Sequence, residues 1–179
     1  MNSRRFSLKP FLTACLPPDV KITGNISRSF NTLTITYMLI GPLTDLLIPS
    51  PAENPLRKDH LWEETCFEFF VAEKDSGQYW ECNLSPSGHW NLYRFTSYRQ
   101  GMQEEIAFTA LPFSIQFQPD VFRLSAEIDL EKFIPAEQVL QIAISSVIKT
   151  IDGGITYWAL IHPGPQADFH RRDSFIIDL

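Results

Sequence analysis

Two acids and two amides fall on alternating positions of one short stretch: Glu68, Glu81, Asn83 and Asn91, interleaved with Tyr79, Tyr93 and Phe95. Carboxylates and amides bond to hydroxyl groups, and planar rings cover the apolar face of a sugar or another flat ligand. A second polar cluster follows near the C-terminus, where Asp168 lies between His162 and His170 and is followed by Arg171, Arg172 and Asp173. Glu68, Glu81, Asp168, His162 and His170 are also raw material for acid–base catalysis, or for a metal held by two histidines and one carboxylate. The plainer alternative is a solvated sheet face with ordinary cross-strand pairs.

The elements that must position these groups can be read from the stretch Leu61 to Met102, which holds three of the four tryptophans. Strand-like runs bounded by Gly, Pro, Asp and Ser clusters predict three antiparallel strands, Thr65–Glu73, Gln78–Ser85 and His89–Ser97. A four-residue loop, Lys74–Gly77, places Phe67, Phe69 and Val71 on one face with Trp80, Cys82 and Leu84. A three-residue loop, Pro86–Gly88, adds Trp90 and Leu92 to that face. The other face collects Glu68, Tyr79, Glu81, Asn83, Asn91, Tyr93 and Phe95, with Glu68 across from Asn83. A slip of one residue would bury Glu68 among the tryptophans, which the cost of burying a charge disfavours.

Strand signals recur along the rest of the chain. Arg5–Phe11 reads as a first strand, despite the superficial likeness of Ser3-Arg4-Arg5 and Leu12-Thr13-Ala14-Cys15 to an export signal, because the apolar run is too short for one. Val20–Ser29 and Leu33–Ile40 flank an Asn31-Thr32 turn. Gly41 to Lys58, with four prolines, is a long connection leading into Trp62 and placed to wall a site. Gln103–Phe117 predicts one or two strands, Asp120–Leu130 another, and Glu131–Phe133 a helical turn before Pro135. Val139–Ile151 and Ile155–His162 form a hairpin over Asp152-Gly153-Gly154, and Ser174–Ile177 closes the chain. On the returning strand Trp158 and His162 share a face, about 13 Å apart by strand rise. Gly164 between two prolines stiffens the loop that follows.

This pattern implies one all-β domain over 1–179, an antiparallel β-sandwich of jelly-roll or immunoglobulin-like type with two packed sheets and about ten to twelve strands. A formal charge of −6 and the lack of a basic run speak against a nucleic-acid partner. No stretch reaches the apolar length of a membrane helix. Of the three cysteines, Cys66 and Cys82 point to opposite faces and should not bridge. Free thiols suit a cytoplasmic setting.

LWEETCFEFFV, NLSPSGHWNLYRF, YRQGM and YWALIHPGPQADFHRRDSF together resemble the DOMON-like proteins of bacteria, which are related to family 9 carbohydrate-binding modules. The resemblance spans essentially the whole chain. It implies a β-sandwich holding a sugar end between two tryptophans, with Glu, Asn and Arg bonding its hydroxyls. The family's Trp followed six positions later by Glu is matched by Trp62 and Glu68, and its later Trp by Trp158. Asn83 and Asn91 supply the amides, and Arg94 or Arg99 the guanidinium, with Arg94 on the core side of its strand. Other DOMON relatives bind haem through Met and His, for which Met102 with His162 or His170 are the counterparts.

These observations together point to a non-catalytic binding module for a saccharide or similar small polar ligand. Its site draws on Trp62, Glu68, Asn83, Asn91, Tyr93, Arg99, Trp158, His162, Asp168 and His170. No motif requires a cofactor, with calcium and haem as the alternatives. The rival functions are an enzyme built on the Glu, His and Asp cluster and a protein-interaction module.

Overall fold

The computed structural model describes residues 2–12, 17–134 and 138–179. Among them are thirteen strands and no α-helix: β1 (Asn2–Ser7), β2 (Lys9–Pro10), β3 (Lys21–Ser29), β4 (Thr32–Ile40), β5 (Cys66–Glu73), β6 (Tyr79–Leu84), β7 (Trp90–Phe95), β8 (Gln103–Glu104), β9 (Phe113–Gln118), β10 (Val121–Asp129), β11 (Leu140–Lys149), β12 (Ile155–Ala159) and β13 (Ile177–Asp178). They form two antiparallel sheets. The smaller runs β1-β3-β4-β10-β9 and the larger β2-β12-β11-β5-β6-β7-β8, with β13 also on β11. The expected β-sandwich is what the chain builds.

Alternation decides which side chains meet between the sheets. Ile22, Ile26, Leu33, Ile35, Tyr37, Leu39, Phe122 and Leu124 of the smaller sheet pack on Phe67, Phe69, Cys82, Leu84, Leu92, Ile142 and Ile144 of the larger. At the centre the Phe67 and Phe122 rings stack, 5.2 Å between centroids and 18° between planes. Buried Tyr37 donates its hydroxyl to the Glu68 carbonyl at 2.7 Å, tying one sheet to the backbone of the other. The register of the central strands is the expected one: Glu68 opposes Asn83, and Asn83 opposes Asn91. Phe70, Tyr79, Tyr93, Phe95 and Ala143 consequently face outward, where Phe175 covers them in a second apolar cluster.

Several local expectations are corrected. Arg5–Phe11 is not one strand. The chain pairs with β3 through Ser7, then crosses at buried Leu8 and continues as β2 against β12. The β3–β4 turn falls on Phe30 and Asn31 rather than Asn31-Thr32, since Ser29 pairs with Thr32. Phe30 takes the positive φ of 52° that a two-residue hairpin demands. The one or two strands expected over Gln103–Phe117 are two, β8 and β9. Ser174 ends a 3-10 turn over Arg172–Ser174, and the closing strand is Ile177–Asp178. Thr13, Ala14 and Cys15 of the signal-like motif, and Pro135, lie outside the described residues. Cys66 and Cys82 are buried, unbridged thiols.

Candidate functional site

On the outer face of the larger sheet, β5, β6, β7, β11 and β12 floor a hollow of about 370 Å³. Glu68 and Glu81 lie in it. Around them stand Trp62, Phe70, Phe95, Met102, Val147, Tyr157, Phe169, Arg99 and His170. The strands supply the floor and two loops supply the rim. One is the segment after β7, which carries Arg99 in a left-handed backbone conformation, φ 53°. The other is the segment after β12, which carries Phe169 and His170. They are tied together where the Arg99 guanidinium donates to Asp168 at 2.9 Å and the Tyr98 hydroxyl donates to the same carboxylate.

Glu68 is 2% exposed. Its Oε2 accepts from Ser145 Oγ at 3.1 Å, whereas Oε1, equally buried, has no hydrogen-bond partner. A buried polar atom without a partner is uncommon in a native fold and calls for an explanation. Glu81, 5% exposed, accepts from Asn83 Nδ2 at 2.9 Å through Oε1. Its Oε2 is 3.7 Å from His170 Nε2, beyond hydrogen-bond range. His170 is fixed from behind, its Nδ1 2.8 Å from the Tyr79 hydroxyl.

Burial governs the protonation of these groups. It pushes the Glu68 carboxyl well above the usual range, and the nearby charge of Glu81 pushes it further, against the Ser145 bond. Burial also carries Glu81 up to about 7, opposed by the Asn83 bond and by Arg99. The same desolvation, reinforced by Arg99, brings His170 down to about 4, so its imidazole is neutral at pH 7.

The structure brings together Trp62, Glu68, Arg99 and His170, with Asp168 holding Arg99. It does not bring in the rest. Trp158 is 3% exposed and lies in the core between the sheets, its Nε1 donating to Thr156 Oγ1 at 2.9 Å. The hairpin register is the reason: Trp158 opposes Ser146, which alternates with Ile144 and Ile148 on the inner face. Its neighbour Tyr157 is the ring that reaches the hollow. His162 lies beyond the end of β12, its Nε2 2.8 Å from the Lys9 carbonyl oxygen and its ring against Phe11.

Asn83 sits fully buried beneath the hollow, where it supports Glu81 and accepts the Cys66 thiol at 3.7 Å. Asn91 is committed to Arg57, Lys58, Tyr93 and Glu104. The Tyr93 hydroxyl donates to Asp59, and its ring meets Trp62 edge-on at 5.8 Å. All three build the frame and do not line the hollow. Arg94 opposes Trp80 on the inner side and bonds Gln103.

The 41–58 connection does not wall this site. Its Pro51 and Pro55 line a separate hollow of about 350 Å³ with Trp90, Leu111 and Pro112. Among the described residues no three His, Cys, Asp or Glu side chains are grouped as metal ligands would be. Met102 and His170 both line the hollow, yet they do not fit an anionic haem. Each ring nitrogen of His170 already faces a protein group, Tyr79 or Glu81, and the floor is a pair of acids. Sequence reasoning missed Tyr157, Phe169 and Phe70. Phe70 shares the alternation of Glu68, and Tyr157 follows from pairing Lys149 with Ile155 across the glycine turn.

No protein-family model and no curated sequence matches the chain. Solved structures do. A candidate carbohydrate-binding protein from Bacteroides uniformis superposes with a TM-score of 0.73 at 12% identity, covering 96% of this chain and 84% of that one. A family 9 carbohydrate-binding module from Caldicellulosiruptor kristjanssonii, in complex with glucose, gives 0.50 at 12% identity over 84% of this chain and 71% of the other. A family 9 module from that organism in complex with cellotriose gives 0.50 at 11% identity over 90% of this chain and 74% of the other. At such identities the likeness is one of fold.

Proposed function

We propose that the chain is a single, non-catalytic module that takes a saccharide or similar small polar ligand in the hollow over Glu68 and Glu81. The observation that carries this reading is the buried Oε1 of Glu68, a polar atom without a partner on a side chain that lines a ring-walled cavity. A ligand hydroxyl, which can both donate and accept, supplies the missing partner, and Trp62 and Tyr157 cover the ring faces. The fold shared with modules solved with glucose and cellotriose supports it, as does the Trp62 and Glu68 spacing of the DOMON-like resemblance. One stacked ring gives only about 1 kcal/mol. Rings and hydrogen bonds together therefore place affinity at roughly millimolar to micromolar.

The test is a screen of monosaccharides and glycans against the purified chain by ligand-observed NMR, repeated with Trp62→Ala and Glu68→Gln. Binding that both substitutions weaken is the expected result. Binding that neither changes would place the ligand elsewhere and overturn the assignment.

A further inference from the structure

The hollow offers two carboxyl groups, not one, and both become acceptors once ionised. Oε1 of Glu68 is buried and unpartnered, and Oε2 of Glu81 lies 3.7 Å from the His170 ring nitrogen, beyond hydrogen-bond range. The two acids belong to neighbouring strands: Glu68 opposes Asn83, two residues along from Glu81 on the same face. That is the diagonal relationship whose side chains can converge on one ligand atom. A hydroxyl has a single proton to give and can serve one of these oxygens. An ammonium has three donors and can serve both.

The charges around the hollow lead to the same chemistry. Arg99 is paired with Asp168 at 2.9 Å and stands at the half-open rim. Its bonds go to Asp168, and it reaches Glu81 only through its charge at a distance. Asp59 accepts from Tyr93 and from the His60 backbone, outside the lining. Tyr79 is engaged with His170, and His170 is neutral at pH 7. Two acids thus face the cavity with no cation bonded to them, Arg99 being bonded to Asp168 instead. The walls are Trp62, Phe70, Phe95, Tyr157 and Phe169, and faces of such rings attract a positive charge, more strongly when water is excluded.

Building on the proposed saccharide site, we infer that its ligand carries a protonated amine, as an amino sugar does, seated between Glu68 and Glu81 under the aromatic rim. Burial holds both carboxyls toward the neutral form, so seating a cation ionises them and releases protons to solvent. A neutral sugar leaves their protons in place.

The experiment compares glucosamine, glucose, N-acetylglucosamine and butylammonium on the full chain by isothermal titration calorimetry at pH 7, in two buffers of different ionisation enthalpy. Glucosamine is expected to bind about tenfold tighter than glucose, with proton release that glucose lacks. N-acetylglucosamine, its amine capped, should bind no better than glucose. Glu68→Gln and Glu81→Gln should each cut the glucosamine preference to under threefold. The proton count on the native chain needs no variant, so a misfolded substitution does not spoil the test. Glucose binding as tightly as glucosamine, or no proton release with glucosamine, overturns the amine and leaves the saccharide reading standing. Butylammonium binding with no sugar bound supports the amine and overturns the saccharide. No binding by any of the four overturns both.

Discussion

Ser145 and Glu68 face each other across the β11–β5 pair, and the serine hydroxyl holds one carboxyl oxygen at 3.1 Å while the other stays free. Ser145→Ala leaves Oε2 without its donor as well. It should cost about 1–2 kcal/mol in urea denaturation and raise the Glu68 pKa further. Glu68→Gln keeps the shape and removes the acid, so stability should hold within about 1 kcal/mol while ligand binding falls at least about tenfold. A large stability loss from the glutamine variant with unchanged binding would make Glu68 a structural group.

The two tryptophans that the resemblance assigns to one binding site should separate cleanly. Trp62 is half-exposed on the rim, so Trp62→Ala should lower affinity by about 1 kcal/mol with a smaller effect on melting. Trp158 is enclosed between the sheets, and Trp158→Ala should cost about 3–5 kcal/mol by leaving a cavity. Thermal melting with a binding titration on each variant checks both.

The buried acids make the fold sensitive to pH. Their folded pKa values lie above the unfolded ones, so the stability they confer is complete below the unfolded carboxylate pKa. It is lost as pH rises through about 7 for Glu81, and Glu68, also held well above the usual carboxyl range, acts in the same direction. His170 is depressed to about 4 and acts the other way, losing stability as pH falls below its unfolded value. Between pH 6.5 and 8 the acids dominate, and the melting temperature should drop as pH rises. Glu68→Gln with Glu81→Gln should flatten that slope; an unchanged slope assigns it to other groups.

Gly24 shows how closely the smaller sheet is packed. A Cβ there would lie 2.0 Å from the Thr36 carbonyl oxygen and 2.5 Å from the Phe6 ring. Phe6, directly across the β1–β3 pair, lies over the bare backbone. Gly24→Ala should destabilise by about 3 kcal/mol, readable as a lower urea midpoint.

How much of this was legible depended on whether local pattern alone set the outcome. The β5–β6–β7 register was readable because turn lengths and a strict alternation left one pairing that buried Phe67, Phe69, Trp80 and Leu92 together. The same arithmetic on the Asp152–Gly154 turn would have put Trp158 inside and Tyr157 outside. Matching by residue type favoured the tryptophan instead. His162 could not be placed, because its bond to the Lys9 carbonyl depends on where β2 lands, a contact between ends of the chain. Phe169 and His170 are held by a loop docked through Arg99 and Asp168, a pairing some seventy residues apart that no periodicity reports.

The crossing at Leu8 gives the first dozen residues an unusual mechanical position. β1 edges one sheet and β2 edges the other, so this short ribbon acts as a clasp across the open side of the sandwich. Tension applied at the N-terminus would have to peel β1 from β3 before it reached β2. A cut between Ser7 and Lys9 would unlink the two margins, leaving β1 held by β3 alone and β2 by its two-residue pairing with β12.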